Sequence, residues 1–386
     1  MVSEQFNPAI FDLGSSTVRV GWAGHDQPKF VESCYLGRKA DGGLEPVPLR
    51  FLKRTNSDVS VVERAQEFKH ASTQWELQSE TMRALCDTLL YSNRGLNCAP
   101  LERPVFVTCP TGAPFRKEYY EHFLETVQAP AFFIGDSSVL AMYAVGRTSG
   151  LCVDVGASAL TVAYVDKGTT THFKTHPFGG DSIDSYILSR VEGIEGNSLE
   201  ARLALAREIK HNACRCSHHT LPPAPPVPTT PARSTRGRKA APTPSPTSKQ
   251  TQHGDQSAYL LPDGTEVDVS GVQEYAAECL FTEQGEFGGL TNAVTAGPAD
   301  SGGDGFVLLT GGSAHFPGLH TRLVHELDSA IGQGASTVFP FAQWTHRVHS
   351  TFVGASILAS LSSFASLWVT PQTLAEVGID KLETSI

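Results

Sequence analysis

The chain has 386 residues, 40% of them hydrophobic, and a formal charge of −10 at pH 7. That length exceeds one ordinary core and suits two domains, and the acidic balance argues against a general nucleic-acid binder, leaving room only for a local basic patch. Met1 to Pro8 is polar with no apolar signal core; the longest apolar stretch, Val353 to Val369, is broken by five serines and does not read as a membrane span.

In chain order, residues 7–24 read as strand, glycine turn, strand. Residues 79–90 have helical spacing, with Met82, Leu85, Leu89 and Leu90 on one side. Pro104 to Thr108 and Ala131 to Ile134 look like short buried strands, separated by a helix around Arg116 to Val127; this alternation predicts α/β layers. Residues 151–165 again read strand, turn, strand, and 180–192 and 198–214 read as helices. Residues 217–256 carry nine of the 24 prolines and almost no large apolar side chain. Such a stretch cannot bury enough surface to offset its ordering entropy, so it is expected to be disordered. Leu261-Pro-Asp-Gly264 is a turn signal that restarts ordered structure. Phe306 to Leu309 is a strand running into Gly311 and Gly312, and a helix follows near Leu319 to Ile331. The last long helix, about 352–368, sets Ile357, Leu361, Phe364 and Trp368 at helical spacing, with Gly, Ala and Ser suited to close packing elsewhere. The eight cysteines follow no framework spacing and read as reduced thiols of a cytosolic or nuclear protein.

One hairpin occurs twice. Asp12-Leu-Gly-Ser-Ser-Thr-Val-Arg-Val-Gly-Trp22 and Asp154-Val-Gly-Ala-Ser-Ala-Leu-Thr-Val-Ala-Tyr164 share Asp, Gly, Ser and Val, 142 residues apart. A repeat at domain spacing implies two related domains facing each other. Glycine lets each turn present backbone N–H groups to phosphate oxygens, and a carboxylate at each strand end can hold the waters around Mg²⁺. Each hairpin alone could be an unrelated Asp-x-Gly turn; the repeat and a third glycine loop at Thr310-Gly-Gly-Ser313 favour a phosphate site.

Four segments carry a resemblance to the actin and actin-related protein family. They are Phe11 to Gly24, Gly146-Arg-Thr-Ser-Gly-Leu-Cys-Val-Asp-Val-Gly156, Val307-Leu-Leu-Thr-Gly-Gly-Ser-Ala-His-Phe-Pro-Gly318, and Gly354-Ala-Ser-Ile-Leu-Ala-Ser-Leu361 with Phe364 and Trp368. Shorter agreements lie at Arg207-Glu-Ile-Lys210 and Leu261-Pro-Asp-Gly264. The resemblance implies an actin-like, ribonuclease-H-like α/β fold: two facing domains with ATP or ADP and Mg²⁺ in the cleft. The first domain is expected over 1–144, with 338–386 returning to it and 33–70 a small divergent subdomain. The second spans 145–337, and 217–256 is the Pro/Ser/Thr-rich insertion. Gly14, Ser15 and Ser16 would contact phosphates from one side and Gly156, Ala157 and Ser158 from the other. Asp12 and Asp154 would hold the metal through water. Arg19 stands where actins carry a phosphate-contacting Lys, as a planar fork in place of a point charge. Lys210 matches a residue beside the adenine, and Gly311 and Gly312 the loop under the adenosine.

Several positions depart from the family. Ser137 stands where actins place the glutamine that positions the attacking water. Ala157 replaces a second Asp, Leu160 and Thr161 occupy the place of a nearby histidine, and His211 follows Lys210 in place of Glu. Hydrolysis depends on orienting that water, so binding is expected to survive and hydrolysis to be slow or absent. Residues 31–70 contain no recognisable inter-subunit loop, 284–305 is glycine-rich where actins have a well-formed helix, and Asp380 to Ile386 lacks the family's ending, so no conventional self-filament is expected. Cys214, Cys216, His218 and His219 could form a metal cluster, but a helix end running into a polar linker is the favoured reading. Arg233, Arg236, Arg238 and Lys239 form a basic run, read first as a solvated linker and second as a nuclear-import or nucleic-acid patch, and phosphorylation at the adjacent Thr243-Pro and Ser245-Pro would offset its charge. His315 and His349 read as ordinary loop residues.

The expected function is a non-filamentous structural subunit of a multiprotein complex that binds ATP with weak or no hydrolysis. The resemblance points to chromatin remodelling or histone modification, with a lean to the nucleus over the cytoplasm; protein subunits are the partners, nucleic acid is met only indirectly, and no membrane is involved. The alternatives are a cytoskeletal actin-like or dynactin-type component with ATPase activity, and a sugar-kinase relative.

Overall fold

The computed structural model describes residues 7–38, 42–46, 60–64, 66–69, 74–92, 95–98, 102–196, 199–223, 257–262, 264–283, 287–296 and 305–382. The first lobe begins with β1 (Ala9–Leu13), β2 (Thr17–Trp22) and β3 (Phe30–Ser33). A small region follows. In it β4 (Tyr35–Arg38) pairs with β5 (Leu44–Pro46) and β6 (Ser60–Arg64), and β7 (Gln66–Lys69) pairs with β8 (Gln74–Leu77). Helix α1 (Ser79–Tyr91) leads to β9 (Val105–Cys109), α2 (Arg116–Tyr120) and β10 (Phe132–Asp136). As the spacing predicts, α1 buries Met82, Leu85, Leu89 and Leu90. Helix α2 continues as a wider π-helical turn through Thr126. Helix α3 (Ser137–Ala144) then leaves the lobe, its start capped by Asp136, whose carboxylate accepts from the amides of Ser138 and Val139.

The second lobe holds β11 (Gly150–Val155), β12 (Leu160–Asp166), β13 (Thr169–His176), α4 (Gly180–Arg190) and α5 (Leu199–Ala213). After them come the hairpin β14 (Ala258–Leu260) and β15 (Glu266–Asp268), α6 (Gly289–Thr295), β16 (Phe306–Thr310), α7 (Leu319–Ile331) and β17 (Thr337–Val338). Helix α8 (Trp344–Val348) packs beside β16 in the second lobe, and α9 (Ser350–Ser360) returns to the first.

The two five-stranded sheets follow one plan. The first runs β10-β9-β1-β2-β3 and the second β17-β16-β11-β12-β13. In each, the repeated hairpin is antiparallel and its first strand pairs in parallel with a later one. The registers agree: Asp12 lies opposite Thr108, and Asp154 opposite Thr310. The duplication seen in eleven residues of sequence therefore extends to whole sheets. Each sheet packs its helices over its own apolar core, the layering that an apolar sheet face requires.

Helix α3 serves both lobes. Leu140 packs with Ile10, Phe106 and Phe352, whereas Val139, Ala141 and Met142 pack with Cys152, Val165 and Leu308 of the second sheet. Its partner is α9, and Gly354 lies so close to the carbonyl of Leu140 that no side chain fits between them.

Four sequence expectations need correction. The last helix stops at Ser360; Leu361 is extended at φ −75°, ψ 132°, and a 3₁₀ turn covers Ser362–Leu367. Its buried residues are Phe352 and the small Gly354, Ala355 and Ser356, with Gly354 against α3 and Ser356 bonded to the Gly24 amide and the His25 carbonyl, whereas Ile357 and Leu361 are exposed and only Phe364 of the spaced set is fully buried. Residues 217–223, assigned to the disordered insertion, are tied down: Arg322 donates to the carbonyls of Ser217 and His219, and Thr220 to Glu326. The rest of that stretch, 224–256, with Arg233, Arg236, Arg238, Lys239, Thr243 and Ser245, lies outside the described residues. Within the glycine-rich 284–305, Gly289–Thr295 is helical. Among the described residues no helix is long and apolar enough to cross a membrane.

Candidate functional site

The two repeated turns close identically. The amide of Gly14 donates to the carbonyl of Thr17 at 3.0 Å, and that of Gly156 to Ala159 at 2.8 Å. A β-carbon at either glycine would press on that same carbonyl, at 2.9 and 3.0 Å, which is why these positions demand glycine. The glycine amides are thus spent inside the turns. The donors left over are one step further on: among the described residues, the amides of Ser15 and Ser16, and of Ala157 and Ser158, have no hydrogen-bond partner. Two pairs of unpaired amides at facing turn tips form an anion-binding arrangement.

The turns border a cavity of about 680 Å³. Of the residues singled out from sequence, Asp12, Gly14, Ser15, Ser16, Arg19, Ser137, Asp154, Gly156, Ala157, Lys210, Gly311 and Gly312 line it. Ser158 does not; its hydroxyl sits at a junction, 2.6 Å from Ser15 Oγ and accepting the amide of Phe68 at 3.2 Å.

The two strand-end carboxylates carry the electrostatics. Asp12 accepts from Thr108 Oγ1 at 2.9 Å and from Arg19 Nη1 at 3.2 Å. Burial pushes the Asp154 carboxyl up to about 6, the charge of Asp12 adds to this, and Arg19 opposes it. Two acids beside one arginine leave a local excess of hard oxygen donors at the turns, a set that suits Mg²⁺ in its water shell. Gly311, at φ +95°, lets its loop pass directly against the carboxylate of Asp154, and Ser313 Oγ donates to the Gly156 carbonyl at 2.8 Å. The glycine loop and the second turn are therefore one unit.

On the far wall, α4 and α5 meet through charge. Lys210 Nζ lies 2.6 Å from Asp184 and donates to the Gly180 carbonyl at 2.9 Å. Arg207 pairs with Asp184 at 2.9 Å and with Asp181 at 3.0 Å, and its Nη2 reaches the Tyr35 hydroxyl at 3.4 Å. Burial works against the Arg207 charge, but the two carboxylates and Tyr35 outweigh it and hold its pKa above the ordinary value.

Several further residues line the cavity, and four of them stand out. His349, read as a loop residue, accepts from Arg19 Nε through Nδ1 at 3.1 Å. That bond requires a neutral ring with its proton on Nε2, and burial followed by the Arg19 charge lowers the His349 pKa to about 4. His315, also read as a loop residue, stands at the exposed rim beside His211. Gln66 is 1% exposed, donates to the Leu13 carbonyl and accepts from Tyr119 at 2.8 Å. Trp75 lines the cavity, and its indole N–H is buried with no partner among the described residues. No local sequence pattern marks Gln66, Trp75 or His349, each brought in from another element, whereas His315 lies within the glycine-loop segment Val307 to Gly318. At the suggested Cys/His cluster, Cys214 and Cys216 are buried while His219 meets His325 edge to face.

Placed beside known protein families, the chain matches the family model described as Actin over residues 3–288 and 305–385.

Proposed function

This chain belongs to the actin family, and we propose that its cavity holds ATP or ADP with Mg²⁺ as a structural ligand that is turned over slowly or not at all. The observation that carries this reading is the pair of facing turns, each with two unpaired amides and an aspartate, bordering one cavity. Ser15, Ser16, Ala157 and Ser158 would donate their amides to phosphate oxygens. Asp12 and Asp154 would hold the metal's waters, and Lys210, Gly311 and Gly312 would flank the nucleoside. Bound Mg²⁺ supplies charge neutralisation for the phosphates. Ser137 lines the cavity at the start of α3 with a side chain too short to orient a water as a glutamine would. Ala157 adds no second acid to that turn.

A ligand bound across both lobes stabilises the fold by mass action. Its role is then that of a clamp, and the protein that of a rigid, non-filamentous subunit in a larger complex. We place that complex in the nucleus, in chromatin remodelling or histone modification, on the strength of the basic run near 233–239 and the missing glutamine. Calorimetric titration with Mg-ATP tests the site: one nucleotide per chain is expected, and no heat of binding would contradict it. Purification from the native cell tests the setting. Co-purified chromatin subunits are expected; dynactin-type or other cytoskeletal subunits would replace that reading. Pelleting with Mg-ATP would overturn the expectation of no filament.

A further inference from the structure

We propose that His349 is a positioning residue for the phosphate end of the site: by holding Arg19 through Nε, it keeps the free end of the guanidinium available to the ligand. The inference rests on the nucleotide reading above. Arg19 sits on β2, the second strand of the first repeated hairpin, and lines the cavity while only 8% exposed. His349 comes from the other end of the chain, at the junction of α8 and α9. Its amide donates to the Thr345 carbonyl at 2.9 Å and its carbonyl accepts from Val353 at 2.9 Å, so both helices fix its backbone. Its imidazole also lines the cavity, and Nδ1 accepts from Arg19 Nε at 3.1 Å.

A guanidinium carries five hydrogens, one on Nε and two on each terminal nitrogen. His349 takes the Nε hydrogen, and Asp12 takes one from Nη1 at 3.2 Å. Asp12 is itself held by Thr108 Oγ1 at 2.9 Å. Two bonds at different corners of a planar group set both its plane and its rotation. The third corner, Nη2, has no hydrogen-bond partner among the described residues. It lies 3.8 Å from where a β-carbon on Gly312 would stand, next to Gly311 on the Asp154 carboxylate. The free corner is thus at the level of the two strand-end acids, where the phosphates and their metal would lie. Arginine ordinarily meets a carboxylate with two parallel bonds, yet Arg19 gives Asp12 only one. Without His349 the fork is free to swing onto Asp12 through both terminal nitrogens, and Nη2 is then lost to the ligand.

The test is titration of the full chain with Mg-ADP in the wild type, His349→Ala, His349→Asn, Arg19→Lys and the double variant Arg19→Lys with His349→Ala, each first shown to fold by its melting transition. His349→Ala should weaken Mg-ADP by about two- to tenfold, the range one net hydrogen bond commands. Asparagine puts Oδ1 where Nδ1 stood, so His349→Asn should recover most of that loss. Lysine has no planar fork to be turned, so with Arg19→Lys in place His349→Ala should add little further loss. Should His349→Ala not fold, His349→Leu fills the space without an acceptor and carries the same expectations. Three results would each overturn the positioning role and leave the nucleotide reading standing: wild-type affinity in His349→Ala, an Asn variant as weak as the Ala variant, or an undiminished loss in the double variant. Failure of the wild type to bind Mg-ADP overturns the nucleotide reading itself, and this role with it.

Discussion

Arg19 donates to His349 through Nε and to Asp12 through Nη1, so one side chain ties a residue late in the chain to the first turn. The arrangement needs a neutral imidazole, and it has a pH signature. The His349 pKa is about 4 in the fold against an ordinary 6.5, so the unfolded chain binds the extra proton between those values. Stability from this group is complete above about pH 6.5 and is lost as pH falls toward 4. His349→Asn keeps an acceptor for Arg19 but does not titrate. The drop in urea midpoint between pH 7 and pH 5 should therefore be smaller in the variant than in the wild type; an equal drop would contradict the assignment. None of this is legible in sequence, because Arg19 and His349 lie 330 positions apart. What sequence does make legible at this scale are Asp12, Gly14, Asp154 and Gly156, because a tight turn and a charged strand end each need a particular residue type at a fixed offset.

Among the elements, α9 shows how spacing can mislead. Its large apolar residues suggest a buried stripe, but a helix that must approach another backbone closely buries its smallest residues, and Ile357 and Leu361 are left outside. Gly354 is the contact point with Leu140 of α3. Gly354→Val should cost about 1–3 kcal/mol through forced displacement of α3, seen as a lower melting temperature, whereas Ile357→Ser should change little. A neutral Gly354→Val would refute the close contact. Helix α7 offers a second case. Arg322 is fully buried and pairs with Glu278 at 2.7 Å and Glu326 at 2.7 Å while holding the carbonyls of Ser217 and His219. Removing Glu278 leaves the buried Arg322 with Glu326 as its one carboxylate partner, so Glu278→Ala should destabilise by roughly 1.5–3 kcal/mol. It should also release 217–223, seen as faster amide exchange there. Unchanged protection of that segment would show that Arg322 does not anchor it. Composition alone placed 217–223 with the proline-rich stretch because the anchoring arginine is a hundred residues away.

At the scale of the whole molecule, two sheets of one strand plan each present a turn with unpaired amides to the same cavity. Only the first hairpin of each sheet betrays the repeat in sequence. The partner strands β9 and β16 agree merely as apolar runs with a threonine near the end, Thr108 and Thr310, and the outer strands share nothing beyond their place. Topology is preserved by hydrogen-bond registry and burial, which many apolar sequences satisfy; the turns are preserved by chemistry, which few do. The halves have diverged in use. In the first, Thr108 supports Asp12; in the second, Thr310 turns to Ser350 and the Arg347 carbonyl, and Asp154 relies on Arg19 from across the cleft. Ser137 and Ala157 both line the cavity, and under the nucleotide reading proposed above they would suit it to retention. The most direct test is a single-turnover measurement with γ-labelled ATP and Mg²⁺ on the full chain, following bound label and released phosphate together. The prediction is one label retained per chain as intact ATP, with phosphate release no faster than from ATP left in buffer; absence of bound label, or prompt release of phosphate, would contradict it.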